Sequence, residues 1–160
     1  DSYGDSYTIG GAPLNLAAHY AIQGGDAWLA SAVGNDVLGT RATEHIKALG
    51  LKTDYVSVLD GLQTGECVVT LDEKSVPKYN ILENVAYDQI SLPVTLNQTF
   101  DVIAFGTLAL RSKQNVEALE CILRNNTFGE IYTDLNIRPP FYSKESIVFY
   151  SMFIATTIFI

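Results

Sequence analysis

Residues 10–39 read GGAPLNLAAHYAIQGGDAWLASAVGNDVLG and carry the clearest structural pattern in the chain. After the first glycine pair, apolar residues recur at the spacing of an amphipathic helix, and Pro13 suits the first turn of that helix. These apolar positions are Leu14, Ala17, Ala18, Ala21 and Ile22. A second glycine pair ends the helix, the apolar run 27–33 predicts a buried strand, and Asp36 can cap a second helix that ends at Gly50. The segment therefore predicts a helix, a strand and a helix in turn.

The rest of the chain adds a hairpin and a second set of alternating elements. Residues 67–71 and 78–82 flank a polar stretch, which predicts an antiparallel hairpin. The alternation resumes with an apolar strand at 102–106, a helix whose apolar positions include Leu119, and a strand at 130–134. Helices and strands that alternate through short links predict an open, largely parallel α/β sheet into which the hairpin is inserted.

The composition is that of a folded globular protein, and it excludes some partners. Of the 160 residues, 48% are hydrophobic and 18% are charged, which is enough apolar material for one core. The net charge of -8 repels phosphodiester backbones and anionic lipid, so we expect neither nucleic acid nor a membrane as a partner. ATP is not excluded, because it arrives with a divalent cation and is bound by local dipoles. Cys67 and Cys121 lie far apart, which predicts two buried thiols in the reducing cytoplasm.

The first candidate site is the pair Gly10-Gly11 in front of the predicted helix. In an open α/β sheet, ligands bind beyond the carboxyl ends of the strands, where helix N-termini present free N–H groups. Glycines let a ligand approach the backbone, and Asn15 in the first turn offers donors and acceptors, which suits a hydroxyl-rich ligand. For the glycine pair alone, however, a plain turn before a helix is the better-supported interpretation.

The second candidate site follows the strand that is predicted to end at residue 134. Asp134, Asn136 and Arg138 stand at alternating positions, which would place a carboxylate, an amide and a guanidinium on one face of an extended chain. Arg138 could bind a phosphoryl oxygen through its fork of N–H donors. An internal ion pair between Asp134 and Arg138 explains the pattern equally well.

No other motif in the sequence points to a metal ion or a nucleophile. His19 lies one turn after Asn15 and could be near the same ligand, but neither it nor His45 has a serine, cysteine or carboxylate partner at a useful spacing. The sequence contains no GxxxxGK[ST], GxGxxG or HExxH motif. These absences argue against a P-loop protein and a zinc protease, and we expect no metal ligands in this chain.

Together these pieces resemble the PfkB carbohydrate kinases. The first signature of that family runs GGxPxN, then a glycine pair, then VGxDxxG. The segments that match the family lie at residues 10–15, 24–25, 33–39, 64–65, 83–90, 106–112 and 134–143. The later segments are most similar to bacterial fructokinases. The resemblance covers residues 8–147, nearly the whole chain.

The resemblance implies a ribokinase-like α/β fold. A three-layer α/β/α core would carry a small β-sheet lid, of which the hairpin at 64–82 would be part. By analogy with the family, Gly10, Gly11 and Asn15 would bind sugar hydroxyls, and Tyr79 would face the sugar from the lid. A homodimer through the lid is also compatible with the resemblance.

The resemblance also implies a reaction. The γ-phosphoryl group of ATP, bound with Mg²⁺, would pass to a primary hydroxyl of fructose or a similar sugar, and Asn136 and Arg138 would lie towards that phosphoryl group. Positioning and charge neutralisation supply most of the catalysis in such a transfer. Closure of the lid would exclude water that would otherwise hydrolyse the nucleotide.

The sequence departs from the family pattern in its last part. The second signature, DTxGAGD, carries the general base and the anion-hole glycines of the family, and it does not occur here. Residues 148–160 carry no charge, but a bilayer span needs about 20 residues. We therefore expect residues 1–147 to be the N-terminal part of a sugar kinase domain with an incomplete core, and 148–160 to be an apolar tail whose origin the sequence does not show. We expect a chain without the catalytic base to be inactive alone.

Two alternatives stay open at this point. The chain could be a non-catalytic sugar-binding or assembly module left after loss of the kinase half, which sugar binding without ATP binding would favour. It could also belong to a nucleoside kinase of the same family, against which the fructokinase-like run at 83–90 argues. The sequence does not identify the sugar or the hydroxyl that would be phosphorylated.

Overall fold

Helices and strands alternate along two compact units, Asp1–Leu92 and Pro93–Ile160. The computed structural model of the chain describes residues 2–3, 6–92, 97–136, 143–145 and 148. The elements of the first unit are β1 (Ser2–Tyr3), β2 (Ser6–Tyr7), α1 (Ala12–Ile22), β3 (Ser31–Gly34), α2 (Val37–Ala48), β4 (Val56–Leu59), β5 (Cys67–Leu71), β6 (Pro77–Ile81) and a 3₁₀ turn (Ala86–Asp88). Those of the second are β7 (Thr99–Gly106), a 3₁₀ helix (Thr107–Arg111), α3 (Lys113–Asn125) and β8 (Thr127–Asp134).

The first unit is built on a parallel pair of strands with α1 and α2 beside it. β3 pairs with β4 in the register Ser31 to Val56 through Gly34 to Leu59. The core consists of apolar residues from both helices and the adjoining segments: Leu14, Leu29, Ile46 and Leu51. Apolar residues at helical spacing therefore bury one side of each helix, as the sequence predicts.

Some boundaries of this unit differ from the prediction. Ile22, predicted to face the core, is 71% exposed, because α1 ends there and the chain turns away through Gly24 at a φ of 89°. The predicted strand at 27–33 is regular only as β3, and Trp28 forms an isolated bridge with Lys52. The ammonium group of Lys52 lies 3.6 Å from the centre of the Trp28 ring and 2.5 Å from a carboxylate oxygen of Asp26.

The predicted hairpin is present as β5 and β6, antiparallel in the register Cys67 to Ile81. Its turn is closed by the Asp72 carboxylate, which accepts hydrogen bonds from the N–H groups of Lys74 at 2.9 Å and Val76 at 3.0 Å. The hairpin belongs to a four-stranded sheet in the order β2, β1, β5, β6. The sequence patterns did not predict β1, β2 or β4.

The second unit is a strand–helix–strand unit with its own core. β7 and β8 are parallel, from the pair Thr99 and Thr127 to the pair Gly106 and Asp134. Leu110 and Leu119 are buried at the centre, and the residues packed around them are Ile103, Phe105, Val116 and Leu123. The strand and helix assignments of the sequence are confirmed here, although both strands begin about three residues earlier than predicted.

Both cysteine thiols are less buried than the sequence predicts. Cys67 and Cys121 are free but half-buried rather than buried, because the first lies on the hairpin and the second on α3 close to its end. Among the described residues, no helix combines the length and the apolar character needed to cross a bilayer. Of the predicted apolar tail, only Val148 lies within the described part of the chain, and it is 57% exposed.

Candidate functional site

The glycine pair lies at the start of α1, three residues after β2 ends. Gly11 has a φ of 129°, which side-chain-bearing residues rarely adopt, and an added Cβ there would have no described atom within 4 Å. It caps α1 without any side-chain hydrogen bond, so the first N–H groups of this helix have no capping side chain. The backbone at Gly11 is thus open to a ligand.

Asn15 stands beside this open backbone. Its Oδ1 lies 3.6 Å from where a Cβ on Gly10 would be, and its own N–H donates to the Gly11 carbonyl at 2.9 Å. The side chain is exposed, and no described residue forms a hydrogen bond with it. The structure therefore brings Gly10, Gly11 and Asn15 together and leaves an amide available to hydrogen-bond a polar ligand.

Tyr79 lies on the exposed hairpin. Its ring is 56% exposed, and it stands opposite Val69 across the β5–β6 pair. Directly paired residues share a face of the sheet. One face therefore carries Cys67, Val69, Leu71, Pro77, Tyr79 and Ile81, and the other carries Val68, Thr70, Lys78 and Asn80. The hairpin is amphipathic, and Tyr79 belongs to its apolar face.

A network of hydrogen bonds holds the segment where the hairpin starts. We call residues 63–66 and 82–88 the hairpin root and residues 67–81 the hairpin arm. Oδ1 of Asp36, at the start of α2, accepts the Gly39 N–H at 2.7 Å and the Thr64 hydroxyl at 2.7 Å, and Oδ2 accepts the Thr64 N–H at 2.8 Å. The Thr64 oxygen in turn accepts the Gly34 N–H at 3.0 Å. The sequence predicted the cap and placed Thr64 in a segment that matches the family, but it did not predict that Thr64 hydrogen-bonds to Asp36.

This network affects the ionisation of Asp36. Partial burial raises the pKa of the carboxyl group, but hydrogen bonds from the Thr64 N–H and hydroxyl and from the Gly39 and Leu38 N–H groups favour the charged form. The pKa therefore lies below its ordinary value of 3.8. Asp36 is a charged, fully engaged structural group rather than a proton carrier near neutral pH.

Two glycines make room for this network. A Cβ on Gly34 would lie 2.3 Å from the Leu62 carbonyl oxygen and 2.7 Å from the Thr64 nitrogen. A Cβ on Gly39 would lie 2.0 Å from the Gly34 carbonyl oxygen. The glycines of the VGxDxxG segment are therefore required by close packing of the chain, and no ligand needs to be invoked for them.

The second half of the hairpin root packs against the first. The Tyr87 ring lies where a side chain on Gly65 would be, since an added Cβ would come within 2.2 Å of it. Val85 and Ala86 are both fully buried, and the Ala86 N–H donates to the Gln63 carbonyl at 2.9 Å. The segment at 83–90 thus serves to close the hairpin root.

The second candidate site differs from the prediction. β8 ends at Asp134, and Asn136 has a φ of 34° with its N–H donating to Asp134 Oδ1 at 2.9 Å, so the chain turns here instead of continuing extended. Asp134 and Asn136 therefore do not alternate along one strand face. Arg138 lies outside the described residues. At the end of β8 the Thr133 hydroxyl is buried and has no hydrogen-bond partner in the described part of the chain.

The described residues contain no group of three or more His, Cys, Asp or Glu side chains that could hold a metal ion.

A polar cleft of about 310 Å³ lies at the amino ends of β7 and β8, away from the turn that follows Asp134. It is lined by Asn97, Gln98, Thr99, Arg124, Asn125, Asn126 and Thr127. Its amides are largely occupied internally: Asn126, for example, accepts the Gln98 N–H at 3.0 Å and donates to the Ile122 carbonyl at 2.8 Å.

Comparison with known families gives one match that spans nearly the whole chain. The sequence model for the pfkB family carbohydrate kinase matches residues 4–155. No curated protein sequence matches the chain significantly.

Comparison with solved structures gives the same fold. An uncharacterized sugar kinase from Pyrococcus horikoshii, also solved with ATP, matches with a TM-score of 0.73 and 22% identity over 87% of this chain and 49% of its own. Fructokinase from Vibrio cholerae O395, with fructose, ADP and calcium bound, matches with a TM-score of 0.68 and 20% identity over 92% of this chain and 49% of its own. Aminoimidazole riboside kinase from Salmonella enterica, with aminoimidazole riboside and an ATP analog, matches with a TM-score of 0.71 and 18% identity over 92% of this chain and 50% of its own.

The predicted ribokinase-like α/β fold is confirmed by these matches. The chain spans about half the length of the solved structures that it matches.

Proposed function

Since the chain belongs to the pfkB family of carbohydrate kinases, we propose that it supplies the sugar-binding part of an ATP-dependent enzyme that phosphorylates a hydroxyl of fructose or a similar sugar. The observation that carries this proposal is the open glycine pair beside the available amide of Asn15. The fructose complex of the Vibrio cholerae structure supports this class of substrate.

Gly10, Gly11 and Asn15 would bind the sugar. A sugar hydroxyl is both a donor and an acceptor, and the Asn15 amide can meet both needs. The open backbone at Gly11 would let the ring lie against the start of α1, whose N–H groups lack a side-chain cap. Such contacts position the acceptor hydroxyl, which is most of what a kinase must do for its sugar.

The nucleotide would lie towards the turn after β8. Asn136 and Arg138 are the residues that we place nearest the transferring phosphoryl group, where the Arg138 guanidinium would neutralise developing charge. ATP would supply the phosphoryl group, and Mg²⁺ would arrive with it. ATP, ADP or an ATP analog in each of three matched kinases supports a nucleotide of this type.

The hairpin arm would serve as the lid. Tyr79, on its exposed apolar face, would close over the sugar and exclude water from the phosphoryl group.

We test the sugar site with Asn15→Ala. The variant should weaken fructose binding roughly tenfold to a hundredfold, because a polar contact worth about 1–3 kcal/mol is lost, whereas stability should hardly change since the side chain has no described partner. Isothermal titration of the chain with fructose and then with other sugars measures this. Gln23→Ala, exposed at the other end of α1, is the control. Equal affinity of wild type and N15A for every sugar bound would contradict the proposed role of Asn15.

A homodimer through the apolar face of the hairpin arm is part of the proposal. Tyr79→Ser should shift sedimentation towards a monomer, because the exposed apolar face is what a second copy would cover. Asn80→Ser, on the polar face, should not. If both variants sediment as the wild type does, the arm is not the contact between copies.

The 160-residue chain alone should not catalyse phosphoryl transfer from ATP to a sugar, because it contains no DTxGAGD-type segment to supply a general base. We also propose a cytoplasmic location, because the cytoplasm supplies the ATP that such a phosphorylation uses. The non-catalytic sugar-binding alternative gains no specific support from the comparisons. Isothermal titration of the chain with fructose and, separately, with ATP tests it, because sugar binding without ATP binding would favour that alternative.

A further inference from the structure

The hairpin root and the hairpin arm are held very differently. At the root, Thr64 is buried, and its N–H and hydroxyl both donate to the Asp36 carboxylate, at 2.8 Å and 2.7 Å. Along the arm, Leu71 is 50% exposed and Tyr79 is 56% exposed. β5 also pairs with β1, but the described register of that pair is Ser2 to Val68 alone. A hairpin with so short a neighbouring strand has little stability of its own in water, so we expect the hydrogen bonds at the root to set the direction of the arm.

The bonds of Asp36 exceed what a helix cap requires. A cap needs only the bond from Gly39, three residues on along α2. The two bonds from Thr64 reach a residue 28 positions away and connect the part of the hairpin root that precedes β5 to the start of α2. Hydrogen bonds to a charged group are the stronger kind, worth about 1.5–3 kcal/mol each.

The other strand of the hairpin is fixed only indirectly. It returns to the root where the Leu82 N–H donates to the Glu66 carbonyl at 3.2 Å, and the Ala86 N–H donates to the Gln63 carbonyl at 2.9 Å. Residues 63 and 66 flank Thr64, so these contacts hold the returning strand to the segment that Asp36 fixes.

We propose that Asp36 and Thr64 are a positioning pair: they fix the hairpin to the start of α2, set the direction in which the arm leaves the core, and confine its motion to residues beyond Thr64. The pair acts on the arm and touches no ligand. Whether the arm is a sugar lid does not enter this inference, which concerns the hairpin itself. If the proposed function holds, the same pair also sets where Tyr79 stands.

The test compares variants that keep the helix cap but lose a hydrogen bond between residues 36 and 64 with a variant that keeps that bond. Asp36→Ser retains a good cap but lacks the second oxygen that accepts the Thr64 N–H. Thr64→Val removes the hydroxyl at nearly constant volume, and Thr64→Ser restores it. Hydrogen exchange of the whole ligand-free chain, followed by mass spectrometry, reports separately on the arm at 67–81 and on α2.

We expect D36S and T64V to speed exchange of the amides that pair β5 with β6 by roughly tenfold or more, the factor that corresponds to about 1.4 kcal/mol. Exchange in α2 should stay within roughly twofold of wild type, and T64S should behave as wild type. Unchanged arm exchange in T64V would overturn the proposal, and so would an equal rise in the arm and α2. If D36S does not fold, the T64V and T64S pair decides alone. No sugar or nucleotide is present, so failure here is distinct from failure of the proposed function.

Discussion

At the scale of single residues, Asp36 shows how one carboxylate can serve two segments that are distant in sequence. It accepts the cap bond from α2 and both bonds from Thr64. Because its folded-state pKa is depressed, the stability that its charge contributes is fully present above its unfolded pKa near 3.8 and is lost as pH falls through the lower folded pKa.

Asp36→Asn should therefore destabilise the chain by about 1–3 kcal/mol at pH 7, since the new amide turns a donor towards the Thr64 donors. The gap between variant and wild type should shrink below pH 3.8, because the carboxyl group then protonates more readily in the unfolded chain than in the folded one. Urea unfolding at pH 7 and pH 3 measures both values. Asp54→Asn, at an exposed position without a described partner, is the control. A gap that is constant with pH would show that the charge of Asp36 is irrelevant.

A second prediction at the scale of single residues concerns Gly39. Its missing side chain leaves room for the Gly34 carbonyl oxygen, 2.0 Å from where a Cβ would be. Gly39→Ala should cost about 3 kcal/mol or more, because backbone rather than a flexible side chain would have to move. Glu44→Ala, exposed on the same helix, should change the free energy of unfolding by less than about 0.5 kcal/mol. Similar unfolding midpoints for the two variants would contradict the close packing described here.

The sequence was sufficient to predict the structural roles of residues whose partners lie close by in the chain. The caps and turns of α1 and α2 follow from Pro13, Gly24 and Asp36, which act on neighbours within four positions. The partner of Asp36 at Thr64 could not be predicted from spacing, because that contact forms only when the chain folds back over 28 residues. At the second site the extended interpretation was wrong, because Asn136 turns the chain.

At the scale of elements, local periodicity was sufficient to predict the helices and the hairpin. The predicted strands at 67–71 and 78–82 match β5 and β6 to within one residue. It was insufficient for β4 and for the two-residue strands β1 and β2, whose existence depends on pairing with distant strands. Strand pairing between distant segments leaves a weaker trace in sequence than a helical stripe does.

The second unit offers a prediction about α3. Leu119 is 6% exposed and packs with Leu110 against β7. Leu119→Ala should lower the free energy of unfolding by about 2–4 kcal/mol, from lost burial and the cavity that remains. Glu117→Ala, which removes only an exposed ion pair with Lys113 at 3.5 Å, should cost less than about 0.5 kcal/mol. Thermal unfolding followed by far-ultraviolet circular dichroism compares them. Equal transition temperatures would mean that α3 does not depend on this core.

At the scale of the whole molecule, the chain carries the ribokinase-like fold over about half the length of the kinases that it matches. Family membership came from motifs spread along the chain, whereas the roles of individual residues depend on geometry that motifs do not contain. Gly10, Gly11 and Asn15 are together in the structure because one helix start joins them. Tyr79 and Asn136 have no such local link to those residues. The roles of all five residues in binding stay predictions.

Trp28, stacked under the Lys52 ammonium group, is the only tryptophan in the chain. Its fluorescence therefore reports from within the unit Asp1–Leu92, whereas Pro93–Ile160 contains no tryptophan. Circular dichroism reports on the helices and strands of both units. Coincident transitions in the two signals would identify one cooperative molecule, and separate transitions would identify two halves that melt on their own.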